Sequence, residues 1–209
     1  LNKIVDVRNA YVKLLDDIEF NKEVLYSGDD EMRELAKSEL EALNAQLEHL
    51  TLTDPLTGAN NRRSLERFLE QSLAQAQRYQ RPLSVCVFDL DKFKSINDIY
   101  GHGIGDEVLI QTVKVVLGAK RETDFLARTG GEEFTLVMPE TSLEQATSAT
   151  ERIRQSLEQA DWPCRPVTGS FGVAQLEPDE SFESIVERAD QALYASKQNG
   201  RNQVTVAAA

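Results

Sequence analysis

Apolar residues recur at alternating steps of three and four along the first fifty positions, and from Leu52 onward the pattern changes to helical stretches alternating with short β-rich runs. In the first segment Ile4, Val7, Tyr11, Leu14, Ile18 and Leu25 form one stripe, interrupted by the polar Asn21, and Ala36, Leu40, Leu43, Leu47 and Leu50 form a second. Between them lies Ser27-Gly28-Asp29-Asp30, where glycine can stop one helix and aspartate can cap the next. The two stripes are out of heptad phase across this break. The spacing therefore predicts a helical hairpin over 1–50, with a continuous coiled coil as the alternative.

The second segment reads as helix over 60–78, strand 83–88, helix 106–117, paired strands 124–129 and 132–138, helix 143–159, strand 167–175 and helix 182–197. Such alternation predicts a sheet with helices packed on it. The expected domains are 1–50 and 51–206, with residues 207–209 as an appended tail.

Composition narrows the class of partner. The net charge of −12 repels polyanions, which argues against a long nucleic acid, whereas a single nucleotide needs only a few local cations or a metal ion. The charge is denser in the first segment, where residues 1–50 carry 6 basic and 12 acidic side chains. No run approaches the length of a membrane span and no signal peptide opens the chain, so the expected setting is cytoplasmic, without a membrane. Cys86 and Cys164 form no framework of disulfides and no zinc pair, and Cys86 reads as core.

Candidate chemistry lies in two places. The run LSVCVFDLD at 83–91 is a strand ending in Asp89 and Asp91, and ARTGGEEFTLVM at 127–138 sets Gly130-Gly131 between two β-rich runs, followed by Glu132 and Glu133. The glycine pair predicts a tight two-residue hairpin with positive φ. If that hairpin lies beside the first strand, Asp89 and Glu132 converge, and hard oxygen ligands so grouped suit Mg²⁺. The plain alternative is solvated surface acids, and for Asp91 alone it carries equal weight.

TGGEEF at 129–134 together with FDLDKFKSINDIYGHGIGDEVL at 88–109 resembles the GGDEF family of diguanylate cyclases, which make cyclic di-GMP from two GTP. DPLTGANNRR at 54–63, SFGVA at 170–174 and ADQALYASKQNGRNQV at 189–204 extend the likeness in order and spacing over about 51–206. The run 29–50 also resembles the helical hairpin of bacterial peptide chain release factors, a short likeness of little functional weight.

The resemblance implies an α+β fold, a central mostly antiparallel sheet wrapped by helices and related to the palm of nucleotide cyclases and polymerases. It implies that Asp89, the Leu90 carbonyl, Glu132 and Glu133 hold Mg²⁺, with Mn²⁺ possible in its place, and that one of the two glutamates helps to deprotonate the ribose 3′-hydroxyl. Asn97 and Asp106 match guanine-binding positions, and a carboxylate accepting from guanine N1–H and its amino group would reject adenine. Taken by itself Asp106 could instead cap a helix after Gly105.

Lys94, Lys197 and Arg201 match phosphate positions, Gly130 and Gly131 line the substrate, and His102 and Phe93 are weaker substrate candidates, Phe93 reading more readily as core. The loop Gly101 to Gly105 is expected to bring its backbone to the base. Arg121 and Asp124 match the family's inhibitory product site; alone, they would be an ordinary surface ion pair. Arg128 is left without a role.

Because one domain holds one GTP and the product joins two, the resemblance implies a homodimer, with the N-terminal helices as the pairing device. The rival reading is a silent module that binds cyclic di-GMP or GTP without turnover.

Overall fold

The computed structural model describes residues 52–208, together with isolated helical positions at Lys13, Lys37, Ser38, Leu40, Ala42 and Leu43. The expected hairpin or coiled coil of 1–50 otherwise lies outside the described residues. Contacts divide the chain into two units, 1–58 and 59–209. In the first, Asp54 shapes the DPLTG turn: its Oδ1 accepts from the Thr57 N–H at 2.8 Å and hydroxyl at 2.6 Å, and its carbonyl accepts from Gly58 N–H at 2.9 Å.

The second unit is built on a six-stranded sheet of β1 (Asn60–Asn61), β2 (Leu83–Leu90), β3 (Phe125–Arg128), β4 (Glu133–Pro139), β5 (Gly169–Gln175) and β6 (Val204–Val206), in the order β1-β3-β4-β2-β5-β6. The three inner pairings, β3 with β4, β4 with β2 and β2 with β5, are antiparallel, and the two edge pairings are parallel. The helices are α1 (Arg62–Tyr79), α2 (Phe93–Tyr100), α3 (His102–Ala119), α4 (Leu143–Gln159) and α5 (Phe182–Gln198). This is the expected α+β architecture.

Alternation along β2 decides which helices cover which face. Leu83, Val85 and Val87 point to one side and join Leu65, Leu69 and Ala76 of α1 and Ile185, Ala189 and Leu193 of α5 in one buried cluster. The α1 residues recur at helical spacing, and Asn61 starts that helix by accepting the Ser64 N–H at 3.0 Å. On the opposite face Phe88 stacks between Phe134 and Phe171, with ring centroids 5.1 and 5.0 Å away. There α4 packs on β5 and β2, α3 on α4, and α2 on α3. Each ring pair contributes about 0.5–1.5 kcal/mol beyond its burial, and all three rings are fully buried.

This aromatic row pins the register at the functional end of the sheet. A slip of one residue would send Phe88 to the wrong face and Asp89 into the core in its place. Cys86, on the same face as Phe88, is buried as expected, and burial pushes its thiol up to about 12.

Several boundaries differ from the sequence reading. Asn60 and Asn61 pair with Ala127 and Arg128 as a short strand instead of opening the helix. The helix expected from Asp106 begins at His102, and the structure adds α2 and β6. The Ala207 N–H donates to Val173 O at 2.8 Å and prolongs the β6 edge. Among the described residues no helix is long and apolar enough to cross a membrane.

Candidate active site

Two elements meet at the C-terminal end of β2. The antiparallel register sets Asp89 directly opposite Glu133 on β4, and the Leu90 N–H donates to Glu132 O at 3.3 Å. Directly opposed residues have Cβ atoms only about 4.5–5.5 Å apart, so the pairing alone makes these acids neighbours. Asp89 is buried, Glu132 half-buried and Glu133 exposed. Lys197, from the last turn of α5, reaches Asp89 Oδ2 at 3.0 Å.

Burial pushes the Asp89 carboxyl above the ordinary carboxylate range; Lys197 opposes the rise, and the charges of Glu133 and Asp91 add to it. Glu132 is raised by burial first and then by Asp89, against Lys197. Asp89 and Glu132, each made costlier to charge by burial and by neighbouring acids, supply carboxylate oxygens of the kind a divalent cation takes. Among the described residues no three acidic, histidine or cysteine side chains are drawn close enough to hold a metal by themselves. Mg²⁺ needs only one or two carboxylates and keeps water and phosphate oxygens as its other ligands, so the residues fit.

The hairpin carrying the glutamates differs from expectation. Four residues, 129–132, join Arg128 to Glu133, and the Thr129 and Gly130 N–H groups both turn to Glu133 O at 2.9 and 3.3 Å. Neither Gly130 nor Gly131 takes a left-handed φ. What glycine at 130 leaves is room: a Cβ there would lie 2.5 Å from Glu133 Oε2 and would turn that exposed carboxylate aside. Arg128, left open by the sequence, clamps the turn through the Gly131 carbonyl, at 2.6 Å from Nη2.

The α2–α3 corner gathers the guanine candidates. Gly101, at φ 84°, makes the corner, and its N–H donates to Asn97 O at 2.9 Å. Gly103 and Gly105 are helical and not part of a loop. A Cβ on Gly105 would fall 1.9 Å from Asn97 Oδ1 and 3.3 Å from Phe93 Cζ, so the Asn97 amide lies directly against this glycine. Asp106 follows as the fifth residue of α3 and is exposed; it is no N-cap, because the helix starts a turn earlier. His102 and Asp106, four apart on α3, share its exposed face. Phe93 is only 5% exposed and packs in this corner, consistent with core and not with an open substrate contact.

On the phosphate side, Lys94 is exposed on α2. Arg201 is exposed in the turn after α5, with φ of +66°. Beside Glu133 a cavity of about 390 Å³ opens on the α1–α5 face, its wall including Thr129, Val87, Thr135 and Arg62.

Residues 51–203 match the family described as diguanylate cyclase, GGDEF domain. The chain belongs to this family. It is 42% identical over 175 residues to diguanylate cyclase DgcM of Escherichia coli, an alignment covering 81% of this chain and 42% of that protein. It is similar to the structure of the active GGEEF domain of a diguanylate cyclase from Vibrio cholerae, with 37% identity, a TM-score of 0.69, and coverage of 71% of this chain and 97% of that one. The coiled coil and GGDEF domain of DgcB from Caulobacter crescentus, solved in complex with c-di-GMP, matches at 34% identity and a TM-score of 0.76, covering 86% of this chain and all of that one. The chain spans less than half the length of the curated relatives it matches first.

In this GGDEF domain the 121–124 turn is not a side-chain ion pair. Asp124 is buried, and its Oδ2 accepts the Arg121 backbone N–H at 2.8 Å while Lys120 Nζ bonds the Arg121 and Asp124 carbonyls at 2.9 and 2.6 Å. The Arg121 side chain is left exposed.

Asp91 is likewise not solvated. It is 6% exposed and accepts from Thr168 Oγ1, Ser170 Oγ and the Asn202 N–H. No local signal marks those partners, which lie 77, 79 and 111 positions away.

Proposed function

We infer that this domain condenses two GTP into cyclic di-GMP, releasing two pyrophosphates, with one GTP held by each of two copies placed face to face. The observation carrying this reading is the register that opposes Asp89 to Glu133, with Glu132 and Lys197 beside them, at the exposed end of a rigid sheet. Each ribose 3′-oxygen bonds to the other nucleotide's α-phosphorus, the α–β bridging bond breaks, and pyrophosphate leaves. The 3′-hydroxyl proton passes to the carboxylate of Glu133 or Glu132.

Asp89, the Leu90 carbonyl, Glu132 and Glu133 would hold Mg²⁺ or Mn²⁺. When bound, such an ion polarises the α-phosphate and stabilises the attacking and departing oxygens. The side chains of Asn97 and Asp106 hold the guanine edge, Asp106 accepting from N1–H and the amino group and so disfavouring adenine. Lys94, Lys197 and Arg201 neutralise the outer phosphates, and the hairpin at Gly130 and Gly131 borders the substrate. Arg121 and Asp124 form a product site, in which the guanidinium can fork onto guanine O6 and N7. The segment 1–50, with its two apolar stripes, would raise the local concentration of the second copy by pairing with its counterpart.

The test is turnover of GTP by the purified chain with Mg²⁺, the product identified by mass. Glu133→Gln removes a charge from an exposed position and should lower the rate by about 100-fold or more with the melting temperature unchanged. A parent chain that binds GTP without forming product is instead a silent nucleotide-binding module.

A further inference from the structure

We propose that Asp91 is a positioning residue: by accepting the Asn202 N–H it sets the turn that presents Arg201. This rests on the reading above that Arg201 meets the triphosphate. Gly200, Arg201 and Asn202 have φ of 111°, 66° and 45°, three successive residues in a region that side chains other than glycine avoid. Such backbone persists only where its surroundings over-determine it, and here it is held from three sides.

From α5, the Ser196 carbonyl accepts the Arg201 N–H at 3.0 Å. From α4, Arg154 Nη1 donates to Asn202 Oδ1 at 2.8 Å, and Glu158 Oε1 accepts from Asn202 Nδ2 at 2.8 Å. From the end of β2, Asp91 Oδ2 accepts the Asn202 N–H at 3.1 Å.

The Asp91 carboxylate is itself fixed. Thr168 Oγ1 donates to Oδ2 and Ser170 Oγ to Oδ1, both at 2.7 Å, and the Asp91 N–H donates to Thr168 O at 2.8 Å. The donors are hydroxyls and an amide, which makes Asp91 an acceptor hub at the start of β5 and not half of an ion pair. It stands two residues beyond Asp89 on the same chain. One rigid strand end therefore sets both the candidate metal carboxylate and, through Asn202, the candidate phosphate cation, so their separation is fixed without direct contact between them.

The experiment is a double-mutant cycle on the full chain, read by calorimetric binding of a non-hydrolysable GTP analogue and by KM and kcat. Asp91→Ala and Arg201→Ala should each weaken binding about 10-fold, and the double variant should be no weaker than Arg201→Ala alone. Asp91→Asn, which keeps the size and one acceptor oxygen, should recover part of the loss, and the Asn202 amide should lose hydrogen-exchange protection in the alanine variant while β5 amides keep theirs. If Asp91→Ala does not fold, the same cycle is run with Asp91→Asn.

Additive losses in the cycle, or binding unchanged by Asp91 substitution while Arg201→Ala weakens it, overturn the inference. A parent chain that fails to bind the analogue overturns the functional reading instead.

Discussion

Gly105→Ala separates the stability of the fold from recognition of the base. The new methyl would sit 1.9 Å from Asn97 Oδ1, 3.0 Å from Asn97 Cγ and 3.3 Å from Phe93 Cζ, so it cannot enter unless the Asn97 amide leaves. The residue lies in the first turns of α3 with helical backbone, where alanine in place of glycine stabilises by about 0.5–1 kcal/mol. Turning a short side chain away from its preferred rotamer costs about 0.5–1.5 kcal/mol. These effects nearly cancel, and the melting midpoint should correspond to a change within about 1 kcal/mol.

The guanine contact proposed for Asn97 has no such compensation. Losing one or two hydrogen bonds from Asn97 costs about 1.4–2.8 kcal/mol, or roughly 10-fold to 100-fold in affinity for GTP. The assay is calorimetric binding of a non-hydrolysable GTP analogue to Gly105→Ala, Asn97→Ala and the double variant. Once Asn97 is gone the added methyl displaces nothing, so the double variant should bind as Asn97→Ala does. Unchanged affinity in Gly105→Ala, or losses that add in the double variant, would refute the argument that this glycine exists to seat Asn97.

Two further predictions follow from the electrostatics and from the 121–124 turn. Burial raises Asp89 and Glu132, so the folded chain holds these protons more tightly than the unfolded one; stability should rise as pH falls through the interval just above the ordinary carboxylate values of about 3.9 and 4.3, and be lost as pH rises through it. Mg²⁺ needs both groups ionised, so its stabilisation of the melting temperature should fade across that interval on acidification, and a Mg²⁺ increment that persists undiminished to about pH 4 would contradict the assignment. Arg121→Ala removes only an exposed side chain and leaves the backbone N–H that Asp124 accepts, so stability should hold within about 0.5 kcal/mol while inhibition by added cyclic di-GMP weakens about 10-fold or more; equal inhibition of both forms would exclude a product site there.

What the chain determined alone was its periodicities and its local chemistry. Apolar spacing located α1, α4 and α5 and the inner strands, because a helix or strand that must bury one face writes that face into its own residues. The acids at 89, 132 and 133 were legible for the same reason, since they adjoin those patterns. Short elements were not: α2 buries Phe93 and Ile96 in eight residues, too few for a periodic signal, and Asn60–Asn61 and Val204–Val206 become strands only by pairing at the sheet edges.

The glycines show the division most clearly. At 130 the expected positive φ is absent, and at 105 the expected loop is helix, in which a Cβ would meet the Asn97 amide oxygen at 1.9 Å. Asp91 could have been a surface acid by any local criterion. Its role was decided by Thr168, Ser170 and Asn202, which two distant segments bring to it, and a buried carboxylate is stable only where such donors converge.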